Sequence, residues 1–159
     1  RHTRYISVTG VQTCALPISG GGSIAHIDAL GLLKVGPQSA GAAPGPAAYA
    51  RGGTQPTVTD ADLVLGFVDP AGFLGGDMRL DAAAAQNAID AVVGGPLSKS
   101  TLDAAWGIFA VVNEAMVAAG KRYAAERALD IRTFTLITFG GAAPIHARSE
   151  EHTSELQSH

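Results

Sequence analysis

Cysteine is almost absent from this chain: among 159 residues there is one, Cys14. A single thiol excludes an internal disulfide and a thiolate metal cluster. Histidine is scarce, at five residues. Basic residues are outnumbered, 11 Lys and Arg against 14 Asp and Glu, for a net charge of −3. That balance leaves no basic patch and gives no reason to expect nucleic acid as a partner. No unbroken apolar run approaches the roughly 18 residues that span a bilayer, so no membrane partner is expected either. Aromatics make up only 6%. What is abundant is small: the chain is 47% hydrophobic, with 20 glycines and many alanines. Such a sequence has enough apolar surface for a core, built by close backbone packing. It contains no internal repeat.

The two ends read differently from the middle. Residues 148–159, RSEEHTSELQSH, hold one large apolar side chain, Leu156. Those twelve residues are one reading frame of a sequencing-library adapter oligonucleotide. Residues 8–19, VTGVQTCALPIS, are the opposite strand of the same oligonucleotide in another frame. Residues 1–19 and 148–159 are therefore expected to be adapter-derived and non-native, and are set aside as a tag would be. The alternative is a native basic leader and an acidic tail. Setting the ends aside removes Cys14, His2, His152 and His159 and three charges of each sign. The net charge of residues 20–147 stays at −3, and His26 and His146 remain, too few to build a metal site by themselves.

Within residues 20–147 the elements follow from local pattern. Ser23 to Asp28 alternates, and Leu32 to Val35 is a second β-prone run. With Ala29-Leu30-Gly31 between them, they predict a hairpin. Pro37 to Pro56, PQSAGAAPGPAAYARGGTQP, has neither helical nor strand period. Composition favours a flexible linker; a fixed loop wrapping a site is the sharper alternative. In TVTDADLVLG, Thr59 or Asp60 caps a short helix that stops at Gly66. FVDPAGFLGGDMRL is a loop anchored by Phe73-Leu74. Asp81 starts an alanine-rich helix ending at Gly94-Gly95-Pro96. Ser100 to Asp103 forms a capping box. Beyond it, Leu102, Ala105, Trp106, Phe109, Val112, Met116, Ala119 and Tyr123 recur at helical spacing and predict a core-facing stripe to near Ala128. Arg132 to Phe139 is a buried strand by its β-branched and aromatic content. It leads into Gly140-Gly141 and a new helix from Ala142.

Two glycine turns are candidate ligand sites, Gly20-Gly21-Gly22-Ser23 and Gly140-Gly141-Ala142. Glycine admits positive φ and close backbone approach, so successive amides can converge on an anion. The second has the strand–Gly-Gly–helix setting that places a nucleotide beside a helix start. A tight packing turn is the commoner explanation for each alone.

In combination the motifs are more specific. GGGSIAHID, LLKVGPQSAGAAPGPAAYARGGTQPTVTDADLVLG, FLGGDM and TFTLITFGGAAPIHA occur in that order. Together they resemble the hydantoinase A/5-oxoprolinase family, which includes acetone carboxylase-type subunits, over essentially all of residues 20–147. A long match through residues 37–56 also speaks against a linker there. The resemblance implies an α/β fold, a partial actin-like ATPase of the sugar kinase and Hsp70 type, truncated at both ends. It implies a bacterial-style, cytoplasmic enzyme that uses ATP to activate the carbonyl of a cyclic amide such as 5-oxoproline or a hydantoin. Ketone carboxylation and a non-catalytic assembly module are the alternatives. It further implies Mg²⁺ or another divalent ion, and a hydantoinase B-type subunit or domain as partner. Gly140, Gly141 and Ala142 would border the adenosine; Gly20, Gly21, Gly22 and Ser23 would lie on the phosphate or substrate side.

The sequence departs from the family pattern at three informative places. Ala48 and Ala50 stand where PGPACYGRGG has Cys and Gly, so a thiol role is absent. Ala143 replaces a Gly of FGGAGPLHA, and His26 stands where an aromatic is common. Among polar residues, Asp60 is a candidate catalytic residue or metal ligand, with an N-cap as the simpler role. His146 is a candidate catalytic residue facing a cleft. Asn113-Glu114 lies off the apolar stripe and reads as a solvated face, with a cleft-lining role as the alternative. Arg51 beside Gly52-Gly53 is a candidate for a phosphate or carboxylate, or a surface ion pair.

Overall fold

The computed structural model describes residues 20–130, 133, 141, 142 and 144–147. They fall into two compact units, Ser19–Val112 and one that includes Asn113–His159.

The first unit begins with the expected hairpin. Strand β1, Ser23–Ile27, pairs antiparallel with β2, Leu33–Ser39. Asp28 builds the turn: its Oδ1 accepts from the amides of Leu30 and Leu32, both at 2.9 Å. This is the local backbone capture that makes Asp a turn former. β2 runs further than alternation suggests, because Gly36, Pro37 and Gln38 stand together opposite Ile24 as a bulge. Proline cannot donate to a ladder and is tolerated in such an irregularity. Ile24 bridges to Thr57 instead, and the Ala25 amide donates to the Pro56 carbonyl at 2.8 Å. Residues 56–57 thus cover the other edge of β1, and Ala25 is fully buried.

Helix α1, Val58–Val64, is capped two or three residues earlier than the sequence suggests. Thr57 is the N-cap, and Asp60 is the third helical residue of a reciprocal capping box. Gly66 ends it at φ +77°. The following loop keeps Phe73 packed on Ala48, Leu63, Leu80 and Ala85. Leu74, the other expected anchor, is exposed at φ +53°.

Helix α2, Ala82–Ile89, is capped by the Asp81 side chain, which accepts from the Ala84 amide at 3.0 Å. It does not stop at the glycines. A π-helical turn, Asp90–Gly94, carries it into α3, Gly95–Leu97, and Ser98 ends the run at φ +53°. The glycines here serve close approach rather than termination. Their φ is helical, and a Cβ on Gly95 would sit 3.1 Å from the Asp90 carbonyl.

Helix α4, Thr101–Glu126, begins at the expected capping box. The Ser100 hydroxyl donates to Asp103 at 2.7 Å and accepts from its amide at 3.1 Å. Of the expected stripe, Ala105, Phe109, Val112 and Ala119 are buried, together with Ala104 and Ile108, whereas Leu102 and Trp106 are exposed, Trp106 by 56%. Trp106 lies against Phe109, which also meets Phe67, with ring centroids 5.4 and 5.1 Å apart. By length and composition α4 is long and apolar enough to cross a membrane, with a mean hydropathy of 1.4 over 18 residues. Alanine supplies that average without an unbroken apolar run, and Ile108 and Val112 belong to the core.

In the second unit α4 gives way at Ala128, φ +52°. The Arg127 guanidinium lies 3.8 Å over the Tyr123 ring, which suits a cation at a helix end. Of the expected strand Arg132 to Phe139, Thr133 alone is described. Its amide and hydroxyl both donate to the Asp130 carbonyl. The rest of that strand, Gly140 and Ala143 lie outside the described residues.

Candidate functional site

The glycine- and proline-rich segment 37–56 is not a linker. One side chain fixes it. Asp60 is 0% exposed, and its carboxylate accepts four hydrogen bonds. The Ala48 amide donates to Oδ1 at 2.7 Å. The amides of Ala47 and Thr57 donate to Oδ2 at 3.2 and 2.8 Å, as does the Thr57 hydroxyl at 2.8 Å. The turn it holds, Ala47–Tyr49, packs on α1 and α2. Tyr49 closes on Phe73 with ring centroids 5.7 Å apart. Gly53 brings the strands of the loop together: a Cβ there would overlap the Gly45 carbonyl. Burial pushes the Asp60 carboxyl up from its ordinary value, and the hydrogen bonds from Ala48, Thr57 and Ala47 pull it back.

That geometry accounts for Asp60 without a metal: its carboxylate is closed to solvent and taken up by four donors, one on Oδ1 and three on Oδ2. Among the described residues no group of three or more His, Cys, Asp or Glu is placed to hold a metal. In this geometry Asp60 fixes the loop, and the described residues offer no such group for a magnesium ion.

The Gly20 to Ser23 turn is described in the same unit. Its carbonyls do the visible work. Gly21 O accepts from the Thr59 amide and hydroxyl at 2.8 and 2.9 Å, and Gly22 O accepts from the Ala40 amide at 2.9 Å. Ser23 Oγ accepts from the Gly20 amide at 2.9 Å. A Cβ on Gly22 would lie 2.8 Å from Ser39 Oγ, a contact that a turn of the Ser39 side chain relieves. The turn docks the hairpin onto the first turn of α1. Ala50, where the family pattern has Gly, takes φ +53°, ψ +32°. His26 pairs with Lys34 on the hairpin. Arg51 is exposed beside the loop.

The second unit holds the other candidates. Gly141 is exposed, and a Cβ on it would meet nothing within 4 Å. The Ile145 amide donates to the Ala142 carbonyl at 3.1 Å and leads into the helical turn 144–147. His146 on that turn is 2% exposed, and its Nδ1 lies 2.8 Å from Asn113 Oδ1. His146 is therefore an interior group, and Asn113 is not part of a solvated face; Glu114 is exposed as expected. Sequence reasoning missed this pair. The one signal was a polar residue one position past the buried Val112.

The described residues thus form a mixed helix-and-strand fold in which a glycine-rich loop is locked by a buried carboxylate. The chain belongs to the hydantoinase/oxoprolinase family, whose sequence model matches residues 6–158. It is 51% identical to the caprolactamase subunit alpha of Pseudomonas jessenii over 128 residues, 80% of this chain and 18% of that protein. It is 47% identical to the acetophenone carboxylase gamma subunit of Aromatoleum aromaticum over 142 residues, 89% of this chain and 19% of that protein. The crystal structure of the ATP-dependent caprolactamase from Pseudomonas jessenii superposes with a TM-score of 0.77 at 48% identity, over 84% of this chain and 19% of that one. The chain spans under a fifth of the length of these relatives.

Proposed function

We propose that this chain is part of an ATP-dependent enzyme that hydrolyses a cyclic amide of the hydantoin, 5-oxoproline or lactam type. The observation that carries the reading is the 51% identity to a caprolactamase subunit. ATP, when bound, would phosphorylate the amide oxygen and so activate the carbonyl carbon; water adds to that carbon, the ring C–N bond breaks as the nitrogen takes up a proton, and a second water releases phosphate from the acyl phosphate that results. In this proposal the turn at Gly141 and Ala142, with Gly140, borders the adenosine. The Gly20 to Ser23 turn, whose Gly20 and Ser23 amides are used within the turn, lies on the phosphate or substrate side in the same proposal. Asp60 holds the 46–57 loop as a fixed wall. An actin-like architecture of the parent protein, a cytoplasmic setting and a hydantoinase B-type partner belong to the same proposal. The relatives' description as alpha and gamma subunits supports the partner. The adapter origin of residues 1–19 and 148–159 is a separate proposal, which the codons of the encoding DNA decide.

A second reading has its own support: the 47% identity to a ketone carboxylase subunit. One experiment separates the two. The product of the intact gene, with its neighbouring subunit, is incubated with ATP and either cyclic amides or ketone plus bicarbonate, and ADP release is followed. Release that depends on cyclic amide, with ring-opened product, is the expected result. Release only with ketone and bicarbonate assigns the carboxylase. No release with either leaves an assembly module.

A further inference from the structure

We infer that Asn113 is a positioning residue: its side-chain carbonyl holds the proton of His146 on Nδ1 and thereby ties the turn 141–147 to α4. The two side chains meet at 2.8 Å in the interior and are 33 residues apart in sequence. A side-chain carbonyl oxygen has only lone pairs to offer, so Nδ1 is the donor, and Nε2 is left as the acceptor nitrogen. The segment being tied needs such a tether. Residues 144–147 are helical, and the first turn of a helix gains little stability from its own hydrogen bonds. An amide on the buried side of α4, where neighbours such as Val112 are apolar, is justified only by a partner of this kind.

The inference stands on the geometry of the pair. Only its bearing on a nucleotide at Gly141 and Ala142 rests on the function proposed above, so the test omits ATP. The full 159-residue chain is labelled with ¹⁵N at histidine, and the His146 ring nitrogens are read by NMR at alkaline pH. Amide hydrogen exchange is followed at Ile145, His146 and Ala147 and, as an internal reference, along α1. The wild type is expected to show the Nδ1–H form. Asn113→Leu keeps the size and removes the acceptor. It is expected to lose that preference and to accelerate exchange at residues 145–147 by on the order of tenfold, with α1 unchanged. Asn113→Asp keeps an acceptor at the same place and is expected to retain both properties. An Nε2–H form in the wild type overturns the inference. So does an Asn113→Leu variant whose residues 145–147 exchange at the wild-type rate. Should that variant unfold globally, as α1 exchange would reveal, the wild-type tautomer decides.

Discussion

Replacing Asp60 by alanine removes the acceptor for the amides of Ala47, Ala48 and Thr57 and for the Thr57 hydroxyl. Each buried donor left without a partner costs roughly 1–3 kcal/mol. The full sum is not reached, because the loop relaxes and admits water at its exposed flanks, and because the variant no longer has to bury a carboxylate. That leaves about 3–5 kcal/mol, the range found when one partner of a buried charged contact is removed. Against a domain stability of about 5–15 kcal/mol, it is a large fraction. Asp60→Asn keeps one acceptor but turns two new N–H donors towards existing donors, so about 1–3 kcal/mol is expected. The assay is urea unfolding followed by far-UV circular dichroism, with amide exchange at Ala47, Ala48 and Thr57 as the local readout. A loss below about 1 kcal/mol for Asp60→Ala, with those three amides still protected, would falsify the loop-fixing role. An Asp60→Asn variant of the parent enzyme that keeps full stability and loses all activity would return Asp60 to the catalytic candidates.

Ala50→Gly should stabilise the chain by about 0.5–1 kcal/mol: relief of the left-handed conformation exceeds the added unfolded-state entropy. Thermal unfolding checks the sign, and a lower midpoint contradicts it. Ile108→Ala should cost about 2–5 kcal/mol, whereas Trp106→Ala, on the exposed side of the same helix, should cost much less. The Trp106 emission of the wild type should be red-shifted and open to acrylamide quenching; a blue-shifted, protected Trp106 would put that side chain back in the core. The two shifted carboxylates pull stability in opposite directions. Hydrogen bonding from the Leu32 amide holds Asp28 below the ordinary 3.8. Its contribution is present above that value and is lost as pH falls through the folded pKa. Burial holds Asp60 above 3.8, so its contribution is present below that value and is lost as pH rises through the folded pKa. NMR titration of both carboxyl carbons checks the order, and Asp60 titrating below Asp28 reverses it. The isolated chain, which spans 18% of its caprolactamase relative, should show no micromolar ATP affinity by calorimetry.

The hairpin, the Asp81 and Ser100 caps and the long fourth helix were legible because each is set by residues close in sequence. The Asp28 turn and the Ser100–Asp103 box are separations of two to four residues. The fixed loop was not legible from composition, since its restraint comes from a carboxylate 12 and 13 residues away. Glycine and proline content describes only what a chain is free to do when nothing holds it. On α4 the expected stripe is buried at Ala105, Phe109, Val112 and Ala119 and fails at Leu102 and Trp106, two large side chains that apolar size alone would place inside. The helix through Gly94 and Gly95 was cut short because glycine is read as a stop. Here it makes room for the Asp90 carbonyl. The Asn113–His146 pair spans 33 residues and has no local signature.

Asp60 grips its loop by amide hydrogens at positions 47 and 48. Nineteen of the twenty amino acids offer that hydrogen. The clamp is therefore blind to side-chain chemistry, and the residues around it can drift while the path of the backbone stays put. A cysteine exchanged for Ala48, or a glycine exchanged for Ala50, leaves both hydrogen bonds available. Proline at 47 or 48 is the one substitution that severs them, so the clamp itself forbids a single residue type, while burial at Ala47 and Ala48 and the close approach at Gly53 set the limits of size.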